Sequence, residues 1–182
     1  MPLCCGINIF IEVYVDSVCS NSRTCRPFIA LGRSSSGEVD ESTGLWRPGE
    51  TANDYAGRTA ETYVNEALRS LLKDDEYLSE NLLAPFKNGH KTEIDAVLIT
   101  RKGIFCIETK SWMGSISGND EDEYWLQAYQ DMSRGVRKHR NPVKQNRAHC
   151  NALKETLNKP IKIENVVIFF DLEDCSGIDA LE

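Results

Sequence analysis

Two segments of the chain carry apolar residues at the three-to-four spacing of an amphipathic helix. The first covers residues 55–73, where Asn53 or Asp54 is placed to cap the helix. The second covers residues 143–158 and is entered through Pro142, which is tolerated in the first turn of a helix. Each predicted helix therefore presents one apolar face that must pack against another layer.

Runs of β-branched and aromatic residues predict strands around these helices. They cover residues 7–15, 77–86, 92–100, 104–109, 124–129 and 161–170. A tight turn at residues 101–103 joins two strands that are apolar on both faces, so this hairpin is expected to be central and covered on each side. Residues 116–118 either extend or end its pairing, while residues 87–90 predict a turn and residues 33–54 a loop.

The order of helix, strands, helix and strand predicts an α/β fold in which a mixed central sheet is flanked by helices. This domain is expected over residues 55–172, between an N-terminal extension of unknown role, residues 1–54, and a C-terminal tail, residues 173–182. The strand over residues 7–15 is not placed in this order. Because the last predicted strand ends twelve residues before the C-terminus, the chain is also compatible with one domain of a longer protein.

The composition of the 182 residues is that of a soluble globular protein, with 41% hydrophobic and 27% charged residues. No run of 18 apolar residues occurs, which excludes a transmembrane helix. The apolar stretch 3–18 contains Glu12 and Asp16 and follows no Lys or Arg, so neither a secretory signal nor a membrane partner is expected.

The seven cysteines form no C-x-x-C pair, which favours a reducing cytoplasmic location. Cys106 and Cys150 lie in apolar-patterned elements and are expected to be small buried hydrophobic residues. A shared metal site is an open alternative for the four N-terminal cysteines, Cys4, Cys5, Cys19 and Cys25.

The formal charge of −7 excludes a uniformly basic nucleic-acid coat, but the charge is unevenly distributed. Residues 134–160 hold 8 Lys and Arg against Glu155 alone, whereas residues 161–182 hold Lys162 against six acids. This asymmetry indicates either a local contact with a polyanion or a solvated basic helix face. The basic residues around the start of the second helix are Arg134, Arg137, Lys138, Arg140, Lys144 and Arg147.

The central hairpin sets acidic residues opposite each other. A two-residue turn places Asp95 opposite Glu108 and Glu93 opposite Lys110, unless a bulge at Gly103 shifts the register by one. Two opposed carboxylates in an apolar setting repel, and a divalent cation such as Mg²⁺ or Mn²⁺ removes that cost. For this E-x-K stretch taken alone, a buried Glu–Lys ion pair or an exposed strand end is the alternative.

Six stretches carry a family resemblance in their order along the chain. They are residues 57–61 (GRTAE), 92–95 (TEID), 101–105 (RKGIF), 107–112 (IETKSW) with Gly114, 141–146 (NPVKQN) and 166–169 (VVIF). In this order they resemble the nuclease-related (NERD) domain, a branch of the PD-(D/E)XK restriction-endonuclease-like superfamily, over about residues 57–172. The proline that the superfamily places before its first Asp is absent, and Glu93-Ile94-Asp95 stands there, as in NERD sequences.

The resemblance implies a restriction-endonuclease-like core of αβββαβ type that hydrolyses phosphodiester bonds of DNA, with RNA left open. It implies that Asp95 and Glu108 ligate Mg²⁺ or Mn²⁺ together with the backbone carbonyl of Thr109. The remaining roles that it implies are a further acid at Glu61, a lysine at Lys110 that orients or activates the attacking water, and an accessory glutamine at Gln145. The six basic residues would then attract phosphates without reading sequence.

Three questions stay open at the level of the sequence. A nucleic-acid-binding or scaffold module that keeps the nuclease fold is the alternative function, and a homodimer or larger assembly is left open for the partners. Trp112 and Trp125 either belong to the core, which the pattern favours, or stack a base. His149 either lies on the helix surface, which the pattern favours, or points at the site.

Overall fold

The computed structural model describes residues 11–16, 49–86, 89–129, 131–170 and 172–179. Its larger sheet contains β1 (Ile11–Asp16), β2 (Tyr77–Pro85), β3 (Lys91–Thr100), β4 (Gly103–Lys110) and β8 (Ile163–Phe170). These strands lie side by side in the order β1-β8-β4-β3-β2. Because β4 pairs antiparallel with β3 and parallel with β8, the sheet is mixed.

A smaller sheet lies next to the carboxyl ends of β4 and β8. It contains β5 (Gly114–Asn119), β6 (Tyr124–Ala128), β7 (Val136–Arg140) and β9 (Leu172–Asp179), in the order β7-β6-β5-β9. β5 follows β4 along the chain, and β9 follows β8. β4 pairs parallel with β8, and β5 pairs parallel with β9. The smaller sheet therefore extends from the carboxyl ends of β4 and β8.

The first helix, α1 (Ala52–Leu71), begins earlier than predicted because Thr51 caps it instead of Asn53 or Asp54. The Thr51 hydroxyl accepts a hydrogen bond of 3.2 Å from the Asp54 backbone N–H, and the Asp54 carboxylate accepts one of 2.9 Å from the Thr51 N–H. This capping box satisfies two backbone donors at the helix start. The buried face of α1 places Val64 against Ala96 and Ile107.

The second helix, α2 (Pro142–Leu157), is tied to the smaller sheet by its cap residue, Asn141. The Asn141 side-chain oxygen accepts hydrogen bonds from the N–H groups of Val143 and Lys144. Its amide nitrogen donates to the backbone carbonyls of residues 119, 120 and 122 in the turn before β6. The start of α2 is thereby fixed to the smaller sheet.

One turn further on, α2 is anchored to the larger sheet by the fully buried Asn146. Its amide nitrogen donates to the carbonyls of Cys106 and Val166 and to the side-chain oxygen of Asn165, at 2.8, 3.0 and 2.7 Å. A buried amide with this many partners fixes both the position and the rotation of the helix.

Apolar clusters cover both faces of the central hairpin, as predicted. On the α2 side Val97 packs with Cys106, Cys150 and Leu153, and the α1 side holds the cluster around Val64. Both cysteines are buried, which confirms the expectation for them.

Among the described residues, no helix is long and apolar enough to cross a membrane.

The predicted fold class is confirmed, and the differences concern the smaller sheet. Residues 116–118 belong to β5 and do not extend the central hairpin. β7 and β9 were not predicted as strands. The described part of the strand predicted over residues 7–15 is β1, which pairs antiparallel with β8. The four N-terminal cysteines, residues 17–48 of the chain before α1, and residues 87 and 88 of the predicted turn lie outside the described residues.

Candidate active site

The two central strands separate at the positions of the opposed acids. β3 and β4 keep the predicted register, without a bulge at Gly103, as far as Ala96 opposite Ile107. Beyond this pair β3 stays paired with β2 and β4 with β8, so a gap opens between them. Asp95 and Glu108 are the first residues on the two sides of the gap, and both line the same cleft.

The Asp95 carboxylate bridges this gap. Its Oδ2 accepts a hydrogen bond of 2.7 Å from the backbone N–H of Thr109, where a strand-to-strand bond would otherwise form. In an extended strand, the N–H and the C=O of one residue point to the same side of the strand. The Thr109 carbonyl therefore also faces the gap, where the family resemblance implies a metal ligand.

Glu108 is held in place by the side chains of Lys110 and Gln145. Its side chain is buried, with 2% of the residue exposed. Oε1 of Glu108 accepts hydrogen bonds from Nζ of Lys110 and from Nε2 of Gln145, both at 2.6 Å. Lys110 also donates to Oε1 of Gln145 at 3.2 Å. Lys110 and Gln145 therefore both contact Glu108, and all three are predicted site residues.

His149 approaches the other oxygen of the same carboxylate. Its Nδ1 lies 3.2 Å from Oε2 of Glu108. The two atoms are at ion-pair distance without being aligned for a hydrogen bond, and neither has another hydrogen-bond partner within the described part of the chain. The expectation that His149 lies on the helix surface is wrong, because only 7% of the residue is exposed.

Asp95, Glu108, Thr109 and Lys110 line a cleft of about 560 Å³ between α1 and the separated ends of β3 and β4. Gln145 and His149 contact Glu108 without belonging to the described lining of this cleft. α1 contributes Glu61, so the additional acid implied by the resemblance does reach the cleft. The other lining residues are Glu50, Asn53, Asp54, Gly57, Arg58, Asn81, Glu93, Ser111 and Trp112. Six acids of this lining face two basic residues, Arg58 and Lys110, so the cleft is strongly acidic.

Crowding among the carboxylates changes their ionisation. Burial and the nearby charge of Glu108 raise the pKa of Asp95 to about 7. Burial, together with Glu108 and Glu93, also raises the pKa of Glu61. For Glu108 itself burial acts in the same direction, but its contacts with His149 and Lys110 outweigh burial and hold its pKa below the ordinary value. The network therefore keeps Glu108 ionised at the expense of its acidic neighbours.

The groups around the gap form a donor set made of oxygen atoms. Such a set suits Mg²⁺ or Mn²⁺ better than softer metals. A cation between Asp95 and Glu108 would remove the repulsion that raises the pKa of Asp95, and Oε2 of Glu108 is a buried oxygen in need of a partner. The described residues hold no group of three His, Cys, Asp or Glu side chains arranged around one point. The two carboxylates and the Thr109 carbonyl would be the protein ligands of such an ion, and Mg²⁺ commonly completes a set of this size with water and substrate oxygens.

Trp112 forms the wall where the cleft meets the smaller sheet. Its ring stacks on His139 of β7 with 4.3 Å between centroids and contacts Phe169 at 5.7 Å. Nε2 of His139 lies 2.8 Å from Oε1 of the buried Gln127. Trp112 is thus a core residue with one edge in the cleft, while Trp125 is fully buried against Phe169 and confirms the core assignment.

The basic segment lies beside the cleft, on the smaller sheet and on the first turns of α2. Its members that precede α2 are exposed; these are Arg134, Arg137, Lys138 and Arg140. Arg134 lies over the ring of Tyr129 at 4.5 Å, and Lys138 lies over the ring of Tyr124 at 4.1 Å. Lys144 donates a hydrogen bond of 2.6 Å to the carbonyl of residue 121. The described lining of the cleft contains none of the six basic residues, and their contact with nucleic acid stays a prediction.

Three features of the cleft and its surroundings were not predicted from the sequence. The first is the burial of His149 against Glu108. The second is an ion pair between Arg58 and Glu50, in which the guanidinium donates two hydrogen bonds of 2.9 and 3.1 Å. The third is Asn81, whose positive φ of 50° makes β2 irregular at the position beside Asp95. The interruption of the apolar pattern of β2 by Asn81 was a signal that could have found it.

A mixed sheet flanked by two helices, with an acidic cleft where its central strands separate, defines a restriction-endonuclease-like core. The chain belongs to the nuclease-related domain family, whose model matches residues 56–170. This result confirms the resemblance drawn from the motifs.

The chain is also similar to a curated protein over part of its length. The chain is 26% identical over 115 residues to an uncharacterized protein of Bacillus anthracis, a match that covers 63% of this chain and 53% of the relative. The chain therefore spans about half the length of the curated relative that it matches. No solved structure shows significant similarity to the chain.

Proposed function

We propose that this chain is a divalent-metal-dependent nuclease that hydrolyses phosphodiester bonds of DNA. The observation that carries the proposal is the convergence of Asp95, Glu108 and Lys110 in one cleft at the gap between β3 and β4. Hydrolysis of a phosphodiester requires an activated water and positive charge at the phosphate, and acids beside an ammonium group can provide both when they hold a cation.

The contacts of the residues around the gap support a role for each of them. Asp95 and Glu108, with the Thr109 carbonyl, would hold Mg²⁺ or Mn²⁺, which supplies a water of lowered pKa and neutralises phosphate charge. Lys110 is fixed by Glu108 and Gln145, so its ammonium group is placed to orient the attacking water and to stabilise negative charge on the phosphate. Glu61, whose pKa is raised, can accept a proton at the edge of the cleft.

The distribution of charge supports a nucleic acid as the substrate class. A cleft with six acids repels a polyanion, so attraction must come from outside it. The exposed basic residues of β7 lie next to the cleft, because His139 of the same strand stacks on Trp112 of the cleft wall. Their contacts would be to phosphates and would carry no sequence preference.

Cleavage of supercoiled plasmid in the presence of Mg²⁺ or Mn²⁺ tests this proposal. Asp95→Ala and Lys110→Ala should each lower the rate about 100-fold or more, because each removes a group that acts on the reacting phosphate. Asp74→Ala and Lys102→Ala remove the same charges from exposed turns and are the matched controls. Undiminished cleavage by the first two variants would contradict the proposal.

A non-catalytic nucleic-acid-binding module is the second candidate, and the position of the basic surface outside the cleft favours it. Such a module would bind DNA with strong salt dependence and would not need a cation in the cleft. Titration calorimetry with Mn²⁺ separates the two functions. Metal uptake that Asp95→Ala abolishes supports the nuclease, and DNA binding without metal uptake supports the module.

A further inference from the structure

We infer that His149 is a positioning residue that orients Glu108, an inference that rests on the proposed nuclease function. Gln145 and His149 are four residues apart on α2, so their side chains leave the same face of the helix one turn apart. Gln145 donates to Oε1 of Glu108 at 2.6 Å, and His149 lies 3.2 Å from Oε2. One helix face therefore contacts both oxygens of one carboxylate.

The burial of this contact makes it hard to replace. Glu108 and His149 are 2% and 7% exposed, and neither Oε2 nor Nδ1 has another hydrogen-bond partner in the described part of the chain. A buried polar atom without a hydrogen-bond partner is unfavourable. At 3.2 Å, the electrostatic attraction between the imidazole and the carboxylate offsets part of that cost for both atoms, although the two are not aligned for a hydrogen bond. A donor at Nδ1 restricts the rotation of the carboxylate about its last bond.

The core of the protein holds His149 in place. Asn146 lies between Gln145 and His149 in sequence, and it fixes α2 through hydrogen bonds to the carbonyls of Cys106 and Val166. The described lining of the cleft does not include His149. His149 therefore acts through Glu108 and does not touch the substrate, which is the arrangement of a group that supports a metal-binding residue from behind.

Three substitutions of His149 separate positioning from packing. His149→Asn keeps an amide donor near the place of Nδ1, His149→Gln moves the donor to the place of Nε2, and His149→Leu removes it. Asn151→Leu, at an exposed position of the same helix, is the control. The readouts are kcat and KM for cleavage of an oligonucleotide with Mg²⁺, Mn²⁺ affinity by calorimetry, and thermal unfolding.

Positioning predicts a particular pattern across these variants. His149→Gln and His149→Leu should lower kcat and weaken Mn²⁺ binding about 10- to 100-fold with KM for DNA unchanged, whereas His149→Asn should stay within about threefold of the parent protein. If His149→Leu does not fold, the comparison of Asn with Gln carries the test. Equal losses in the Asn and Gln variants, or losses that follow thermal stability alone, would overturn the inference.

The contact can also be judged without activity or metal. In a long-range ¹H–¹⁵N NMR spectrum of the metal-free protein, Nδ1 of His149 should carry a hydrogen, and its ¹⁵N shift should move in Glu108→Gln. A shift that Glu108→Gln leaves unchanged overturns the positioning role. If instead this signature is present but the parent protein neither takes up Mn²⁺ nor cleaves DNA, the nuclease proposal fails while the contact stands.

Discussion

The acidic cleft and the basic strand β7 hold their charges in different ways. In the cleft Glu108 is buried and contacts Lys110 and two side chains of α2. On β7 the side chains of Arg137 and Lys138 are exposed and rest on tyrosine rings. Removing one member of a buried network leaves the others unsatisfied, whereas exposed charges act nearly independently. Substitutions should therefore have large and non-additive effects in the cleft and small, additive effects on β7.

The largest effect on stability is expected where the network of the cleft joins the core. Asn146→Ala removes four buried hydrogen bonds from the helix that carries Gln145 and His149, three donated by its amide nitrogen and one accepted by its oxygen from the Cys106 thiol. It should lower the free energy of unfolding by about 3 kcal/mol. Asn151→Ala, an exposed amide on the same helix, should change it by less than about 0.5 kcal/mol. Urea denaturation measures the free energy of unfolding of both variants. Similar values for the two would mean that the hydrogen bonds of Asn146 do not stabilise the packing of α2 on the sheet.

A smaller effect is expected from the repulsion inside the cleft. The pKa of Asp95, raised to about 7, lies above its ordinary value of 3.8, so the folded chain keeps a proton that the unfolded chain releases between these two values. The stability of the metal-free protein should therefore fall as the pH rises from about 4 to about 7. The full shift corresponds to about 4 kcal/mol, but water and salt in the open cleft screen part of the repulsion. Asp95→Asn should therefore remove this loss and raise the free energy of unfolding at pH 8 by about 2 kcal/mol, with little change at pH 4.

Thermal unfolding of the metal-free protein across this pH range is the measurement. Asp74→Asn, which removes the same charge from an exposed turn, is the matched control. An Asp95→Asn variant that is less stable than the parent protein at pH 8 would show that Asp95 stabilises the fold as an anion, contrary to this account.

The smallest effects are expected on β7. Arg137→Ala and Lys138→Ala should each weaken DNA binding by about 0.5–1 kcal/mol and lower the slope of log K against log salt by about 1. The double variant should show the sum of the two effects, because the side chains are exposed and lie over different rings. Fluorescence anisotropy with a labelled duplex at several salt concentrations measures this, with Lys154→Ala near the end of α2 as the control. Strong non-additivity would show that β7 acts as a network after all.

The same contrast explains what the sequence could predict. The register of β3 and β4 was predictable, because the two-residue turn that joins the strands fixes their pairing. This register sets Asp95 and Glu108 at the two sides of the gap, next to the last pair of Ala96 and Ile107. β7 was missed because its sequence, Val-Arg-Lys-His-Arg, lacks the run of apolar residues that predicts a strand. It is an edge strand of the smaller sheet, where exposed charged residues are common.

His149 was misplaced for a related reason. A histidine beside the apolar stripe of an amphipathic helix is usually exposed, and the position of Glu108 on another element makes its burial favourable. Contacts between elements far apart in sequence carry no local pattern. The start of α1 was misplaced for a local reason. Thr51 and Asp54 form a capping box there, but Asn53 and Asp54 were equally suitable caps by residue type.

The position of Mn²⁺ in crystals of the protein soaked with the ion shows whether the acids of the cleft hold a metal. We expect an anomalous difference peak in the gap between β3 and β4, coordinated by carboxylate oxygens of Asp95 and Glu108 and absent from crystals of Asp95→Ala. A peak elsewhere, or none at saturating Mn²⁺, would contradict this expectation.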